Sequence, residues 1–289
     1  MDTGNDKHEK FELVTKSAGI IAGYTWAASN ETKKGIVCII IHGIMVSAKA
    51  YSNVAEPMAD AGIDVISMDL PGHGESPGSR WDIGPRDRVF FLIDALLGEA
   101  RRRFPNEKIA IFAHSIGGNI ALDYRVNGTL FDLPYLYVIA APWLTLSVPI
   151  PFWIIPPARL LAKSRPSFVI SQKMKANEVA DKLPDVPVNR KGQVKVGISA
   201  RAGVEGWDAA NRLLSHAEEP NSLSPALIMH GTNDDLCSID GSRYFAALNV
   251  NSNVTLVEFE GYPHDLHDGT DGTDGTLPIR LAIDKMLEE

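Results

Sequence analysis

Short apolar runs rich in Ile, Val and Ala alternate along most of the chain with stretches of helical apolar spacing. Phe11 to Lys16 and Ile20 to Ala27 are two short strand patterns around Ser17-Ala18-Gly19, which predicts a hairpin at one sheet edge. Ile36 to Ile41 is continuously apolar, as expected of a strand covered on both faces. Further strands are predicted at Ile63 to Met68, Ile109 to Ala113, Tyr135 to Ala140, Ala226 to Met229 and Val254 to Phe259. Helical patterns separate them at Tyr51 to Ala61, Val89 to Phe104, Gly118 to Val126, Trp207 to Ala217 and Ile239 to Leu248, and a last helix starts at Pro278. Arg101, Arg102 and Arg103 end the second helix, where cations suit the negative end of the helix dipole. Strand and helix in alternation predict an α/β fold, a mostly parallel sheet of the eight-stranded type with flanking helices.

The alternation stops between Pro142 and Gly206, which predicts a cap over residues 142–206 inserted into a core of residues 1–141 and 207–289. No charged side chain occurs from Leu133 to Ala158, a length that could span a bilayer. Pro134, Pro142, Pro149, Pro151, Pro156 and Pro157 interrupt it, and prolines at this density break helices, so a buried strand followed by an irregular apolar segment is the expectation. The Gly, Thr and Asp repeat from Gly269 to Thr276 reads as a flexible surface loop, since two aspartates make a poor calcium site.

Composition narrows the function classes. A chain of 289 residues with net charge −8 and no basic run disfavours nucleic acid as a partner. Two distant cysteines, Cys38 and Cys237, are not a disulfide framework, and the N-terminus has no apolar core for a signal peptide. A cytoplasmic protein is the expectation.

The chemistry centres on Ile111-Phe112-Ala113-His114-Ser115-Ile116-Gly117-Gly118, a strand that breaks into a serine flanked by small residues and opens a helix. That is the pattern of a nucleophile elbow, with Ala113 where G-x-S-x-G has its first glycine. A serine needs a base and an orienting acid. His230-Gly231-Thr232-Asn233-Asp234-Asp235 ends a strand and delivers an acid at the same sheet edge; Asp234 is favoured, Asp235 being the alternative. Gly261-Tyr262-Pro263-His264 follows the last strand and offers His264 as base, with His267 read as packing or a supporting contact. Backbone donors for an oxyanion are expected at Ile116, after the nucleophile, and at Ile44 in the His42-Gly43-Ile44-Met45 turn, with Met45 as runner-up. His42, His73, His114 and His230 are read as shaping loops.

The order Ser115, Asp234, His264 resembles that of the α/β-hydrolase fold. His42-Gly43, Asp69-Leu70-Pro71-Gly72-His73-Gly74-Glu75-Ser76, the elbow and Asp234-Asp235-Leu236-Cys237 together resemble the monoglyceride lipase and lysophospholipase branch, grouped with serine aminopeptidases. The resemblance covers the core from about Gly35 to His267 and not the cap. It implies a serine hydrolase of carboxylic esters, monoacylglycerol or related lipid esters foremost, needing no metal or organic cofactor. Cys237 falls where that branch carries a cysteine near the pocket and is read as packing. In the cap, Trp143, Phe152 and Trp153 are candidates for lining an acyl tunnel or for transient contact with a membrane surface. A peptidase or amidase of the same fold, and a non-catalytic ligand-binding homologue, are the alternative functions. The sequence leaves the oligomeric state open.

Overall fold

The computed structural model describes residues 7–15, 19–175, 189, 191–215, 224–249, 253–269 and 272–288. Its strands are β1 (Glu9–Thr15), β2 (Gly19–Trp26), β3 (Ile36–Ile41), β4 (Asp64–Met68), β5 (Lys108–His114), β6 (Pro134–Ala140), β7 (Val169–Lys175), β8 (Gln193–Ser199), β9 (Ala226–Gly231) and β10 (Val254–Phe259). Its helices are α1 (Ser52–Asp60), α2 (Arg86–Arg103), α3 (Ile116–Asn127), α4 (Ile155–Ser164), α5 (Ala200–Ser215), α6 (Ile239–Leu248) and α7 (Thr276–Glu288). Eight strands form one sheet in the order β1-β2-β4-β3-β5-β6-β9-β10, antiparallel from β1 to β4 and parallel beyond.

Period-two alternation in the central strands divides the core. Val37, Ile39 and Ile41 of β3, with Ile109, Ile111 and Ala113 of β5, pack toward Leu92 and Leu96 of α2, Ile120 of α3, Leu213 of α5 and Phe245 of α6. Their neighbours Ile36, Cys38, Ile40, Ala110 and Phe112 face the other way, onto Val54 and Met58 of α1 and Ile279, Ile283 and Met286 of α7. With both faces covered, the strands need no polar alternation, which is why they read as unbroken apolar runs. Both cysteines are buried and free.

The predicted hairpin forms as β1 and β2, although Ser17 and Ala18 of its turn lie outside the described residues. The parts of the predicted cap at 176–188 and 190, and Thr270 and Asp271 of the Gly, Thr and Asp repeat, also lie outside them. The stretch up to Ala158 expected to be irregular holds a 3-10 turn at Phe152–Ile154 and the start of helix α4, and the antiparallel pair β7-β8 follows beyond it. Pro156 and Pro157, read from sequence as breakers, stand in the first turn of α4, where a missing N–H costs no helical hydrogen bond. Helix α5 starts at Ala200, seven residues before the expected Trp207, so residue 207 lies within a helix. No helix among the described residues is long and apolar enough to cross a membrane.

Asp82, 5% exposed, ties this inserted region to the loop before α2. Its carboxylate accepts hydrogen bonds from Arg201 Nη2 at 2.6 Å, Arg201 Nε at 3.1 Å, Ser167 Oγ at 2.6 Å and Ser199 Oγ at 3.2 Å. Burial opposes its ionisation, and these donors outweigh burial and hold it below the usual carboxylate range. Beside it, Trp81 packs with Val194 and Val196 of β8 and with Ile44 and Met45 of the turn after β3.

Candidate active site

At the carboxyl ends of the parallel strands the chain makes its sharpest turns. Ser115 joins β5 to α3 with φ 58° and ψ −121°, a region that L-residues avoid. Met45, Trp81 and Ala141, around the same edge, also have positive φ, and such strain persists only where surrounding contacts enforce it. For Ser115 the contacts are its N–H donated to Ala140 O at 3.0 Å, and its carbonyl accepting from Asn119 N and Trp143 N, each at 3.1 Å. A small residue is required two positions after it: a Cβ on Gly117 would lie 2.3 Å from Ile41 O and 2.6 Å from His42 O. Ala113 is a fully buried strand residue paired with Ile41 and Ile139, and its methyl is core packing.

Three side chains meet across this edge. His264 Nε2 lies 2.9 Å from Ser115 Oγ, and His264 Nδ1 lies 2.7 Å from Asp234 Oδ2. Asp234 Oδ1 accepts from the N–H groups of Leu236 at 2.9 Å and Cys237 at 2.8 Å, while Asp235 is exposed. Burial pushes the Asp234 carboxyl up, but hydrogen bonds from His230 and His264 and from the Cys237 N–H outweigh burial and hold it well below the usual carboxylate range. An ionised carboxylate there keeps the proton of neutral His264 on Nδ1 and leaves the Nε2 lone pair facing the serine.

The turn after β3 lies against the serine, since a Cβ on Gly43 would be 3.4 Å from Ser115 Cβ. The Gly43 N–H is donated to Tyr51 Oη at 3.0 Å, and the Ser115 N–H is taken by Ala140, so neither serves a ligand. The next donors along each turn are the N–H groups of Ile44 and Ile116, and Ile116 opens α3, where the helix dipole favours negative charge.

Buried histidines brace these turns. Tyr51 Oη lies 2.7 Å from His114 Nδ1, and His114 Nε2 lies 3.1 Å from His264 O, so Gly43, Tyr51, His114 and the His264 backbone form one chain of hydrogen bonds. Because His264 O only accepts, the His114 proton sits on Nε2 and the Tyr51 hydroxyl donates to Nδ1. Burial, helped by His267 and His264 nearby, holds His114 well below the usual imidazole range. His42 Nε2 accepts the Leu70 N–H at 2.8 Å. His267 stacks on Tyr51 with ring centroids 5.2 Å apart. Ligating atoms of Asp234, Cys237 and His264 lie within 4.8 Å of one another, as do those of His114, His264 and Asp265; a metal ion there would have to displace the hydrogen bonds of His264.

A model of the family described as serine aminopeptidase, S33, matches residues 32–271. The chain belongs to this family. Among its relatives, the monoacylglycerol lipase of Mycolicibacterium smegmatis is 26% identical over 251 residues, 83% of this chain and 84% of that one. Among solved structures, the monoacylglycerol lipase of Paleococcus ferrophilus matches with TM-score 0.76 at 24% identity, over 93% of this chain and 98% of that one. A soluble variant of monoglyceride lipase from Saccharomyces cerevisiae in complex with a substrate analog matches with TM-score 0.77 at 18% identity, over 100% and 96%. The shared fold is the α/β-hydrolase fold.

In this member of the serine aminopeptidase family, the sequence-predicted Ser115, Asp234 and His264 lie within hydrogen-bond reach in series, with Ile44 and Ile116 on the two turns flanking the serine. The predicted lining of an acyl tunnel is placed differently. Trp143 is 8% exposed, wedged against Gly206 of α5 where a Cβ would meet its ring at 2.6 Å, and is part of the core. Phe152 and Trp153 point outward, 80% and 64% exposed. Trp81, Val194 and Val196 are apolar residues that do pack against Ile44 and Met45 of the turn after β3. Sequence reasoning passed over them because Trp81 is isolated in a Gly and Pro loop and the two valines lie in a polar stretch.

Proposed function

We propose that the chain is a serine hydrolase of carboxylic esters with apolar acyl groups, monoacylglycerols or related lipid esters foremost. The observation that carries this reading is the continuous series from Asp234 through His264 to Ser115 Oγ, with backbone donors beside it. Ser115 Oγ attacks the ester carbonyl as His264 Nε2 takes its proton, and Asp234 stabilises the imidazolium. The N–H groups of Ile44 and Ile116 receive the oxyanion, His264 returns the proton to the leaving alcohol, and water releases the acyl group by the same steps. None of these steps calls on a metal or organic cofactor.

Three features support a lipid ester over a peptide. The relatives named above are monoacylglycerol and monoglyceride lipases. No acidic residue occurs from 133 to 177, although the chain carries a net charge of −8, so this half of the cap has no carboxylate to receive a substrate amine. Val148, Phe152, Trp153 and Leu160 are exposed apolar side chains of the cap and suit transient contact with a lipid surface. Hydrolysis of 1-monoacylglycerols of increasing chain length, compared with aminoacyl anilides and with Ser115→Ala as control, tests the reading. The expected result is turnover of medium or long acyl esters that is lost in the variant. Turnover confined to acetate esters, or faster turnover of the anilides, would overturn it.

A further inference from the structure

Asp234 receives a second imidazole that the catalytic series above does not use. His230, the fifth residue of β9 and fully buried, places Nε2 3.1 Å from Asp234 Oδ2, the oxygen that also holds His264. The same Nε2 lies 3.0 Å from Cys237 O, and Nδ1 lies 2.8 Å from Oγ of Ser242, a buried residue of α6. Carboxylate and carbonyl oxygens here only accept, so Nε2 carries a proton; in the neutral ring Nδ1 accepts from the Ser242 hydroxyl. With the Leu236 and Cys237 N–H groups on Oδ1, the carboxylate has two donors on each oxygen.

The geometry points to His230 as a positioning residue for the catalytic acid, with Ser242 holding the far side of the ring so that Nε2 faces Oδ2. This rests on the triad reading above. Two donors on Oδ2 divide its negative charge, so His264 receives only part of it and its imidazolium is stabilised less than by a carboxylate facing His264 alone. Loss of the His230 donor would leave the whole charge of Oδ2 to His264, the base of the proposed reaction. The other titratable groups facing this cluster are Cys237, His114 with Asp265 beyond it, and Glu258 of β10, which is paired with His230 in the sheet register.

Two polar substitutions separate this role from simple packing. Asn reproduces the Nδ1 position of a histidine and Gln the Nε2 position. His230→Asn therefore keeps a group facing Ser242 and loses the donor to Asp234, whereas His230→Gln keeps that donor. The measurement is the acid limb of kcat/KM on a soluble p-nitrophenyl ester, with rates normalised to sites labelled by a fluorophosphonate. The Asn variant is expected to shift the limb up by about half a pH unit, as loss of one hydrogen bond of about 1 kcal/mol allows, and the Gln variant to retain the wild-type limb. Ser242→Ala removes the contact that holds the far side of the ring and so loosens the Nε2 bond to Asp234, and is expected to shift the limb in the same direction by less. Equal limbs in the Asn and Gln variants, or wild-type limbs in both the Asn and the Ala variant, overturn the assignment. A wild-type protein that takes no fluorophosphonate would instead overturn the triad reading on which it rests.

Discussion

Gly117→Ala tests how tightly the elbow is held against the turn after β3, where the proposed oxyanion donor Ile44 lies. The added methyl would stand 2.3 Å from Ile41 O and 2.6 Å from His42 O, both backbone atoms at the end of the central strand. Carbon and carbonyl oxygen settle at about 3.3 Å, so α3 and the turn at His42 must part by about 1 Å. Forcing such overlap costs roughly 1–3 kcal/mol. Alanine is the better helix former by about 1 kcal/mol, which offsets part of this, and the net expectation is a loss of up to about 2 kcal/mol. Catalysis is more exposed than stability, because Ile44 and Ile116 sit on the two parts that separate. A misplacement of about 1 Å in a reacting constellation lowers kcat roughly 100-fold. Gly98→Ala is the control: it sits on an exposed face of α2 with nothing within 4 Å of the new methyl, so it should stabilise by up to about 1 kcal/mol and leave the rate unchanged. Urea unfolding and ester turnover per labelled site read both variants. A Gly117→Ala protein with wild-type stability and kcat would refute the close approach of helix and turn.

The remaining expectations concern the buried ions and the cap. Burial lowers His42 to about 4, whereas in the unfolded chain it titrates near 6.5; below pH 6.5 the unfolded chain therefore binds a proton that the folded chain refuses. The stability advantage of wild type over His42→Gln should accordingly shrink by about 1.4 kcal/mol per pH unit between pH 6.5 and 4, and an advantage that stays constant in urea titrations across that range would contradict it. Asp82→Ala leaves Arg201 without its carboxylate and removes the acceptor of Ser167 and Ser199. With Arg201 partly solvated, the cost should be about 2–3 kcal/mol in urea unfolding, with a raised KM for long-chain esters; unchanged values of both would mean that Asp82 does not anchor the proposed cap. Phe152→Ser with Trp153→Ser should weaken co-sedimentation with phospholipid vesicles while leaving turnover of a soluble short ester intact, and unchanged co-sedimentation would remove these rings from the lipid contact.

The core was legible because its strands are covered on both faces. Ile36 to Ile41 and Ile109 to Ala113 could only be buried strands, and each parallel strand delivers the residue that follows it to the same edge. Ser115, Asp234 and His264 therefore meet although 149 residues separate the serine from the histidine. The region predicted as a cap was less legible for two physical reasons. Proline is a helix breaker in the interior and a helix starter in the first turn, so Pro156 and Pro157 gave the wrong sign for α4. Aromatic residues also do not declare their side: Trp143 fills a groove left by Gly206, while Phe152 and Trp153, ten residues on, face outward. The place of His230 was hidden too, because a histidine closing a strand reads equally as a loop brace, and only the register of β9 against α6 shows its ring shared between Ser242 and Asp234.

The most direct test of the central claim is covalent labelling of Ser115. Wild-type protein incubated with a fluorophosphonate and digested should carry the adduct on the peptide containing Ser115, at close to one per chain. Labelling should be absent from Ser115→Ala, and slowed by orders of magnitude in His264→Ala and Asp234→Asn with the fold intact by circular dichroism. A folded wild-type protein that takes no label, or an adduct that persists in Ser115→Ala, would contradict the assignment of Ser115 as an activated nucleophile.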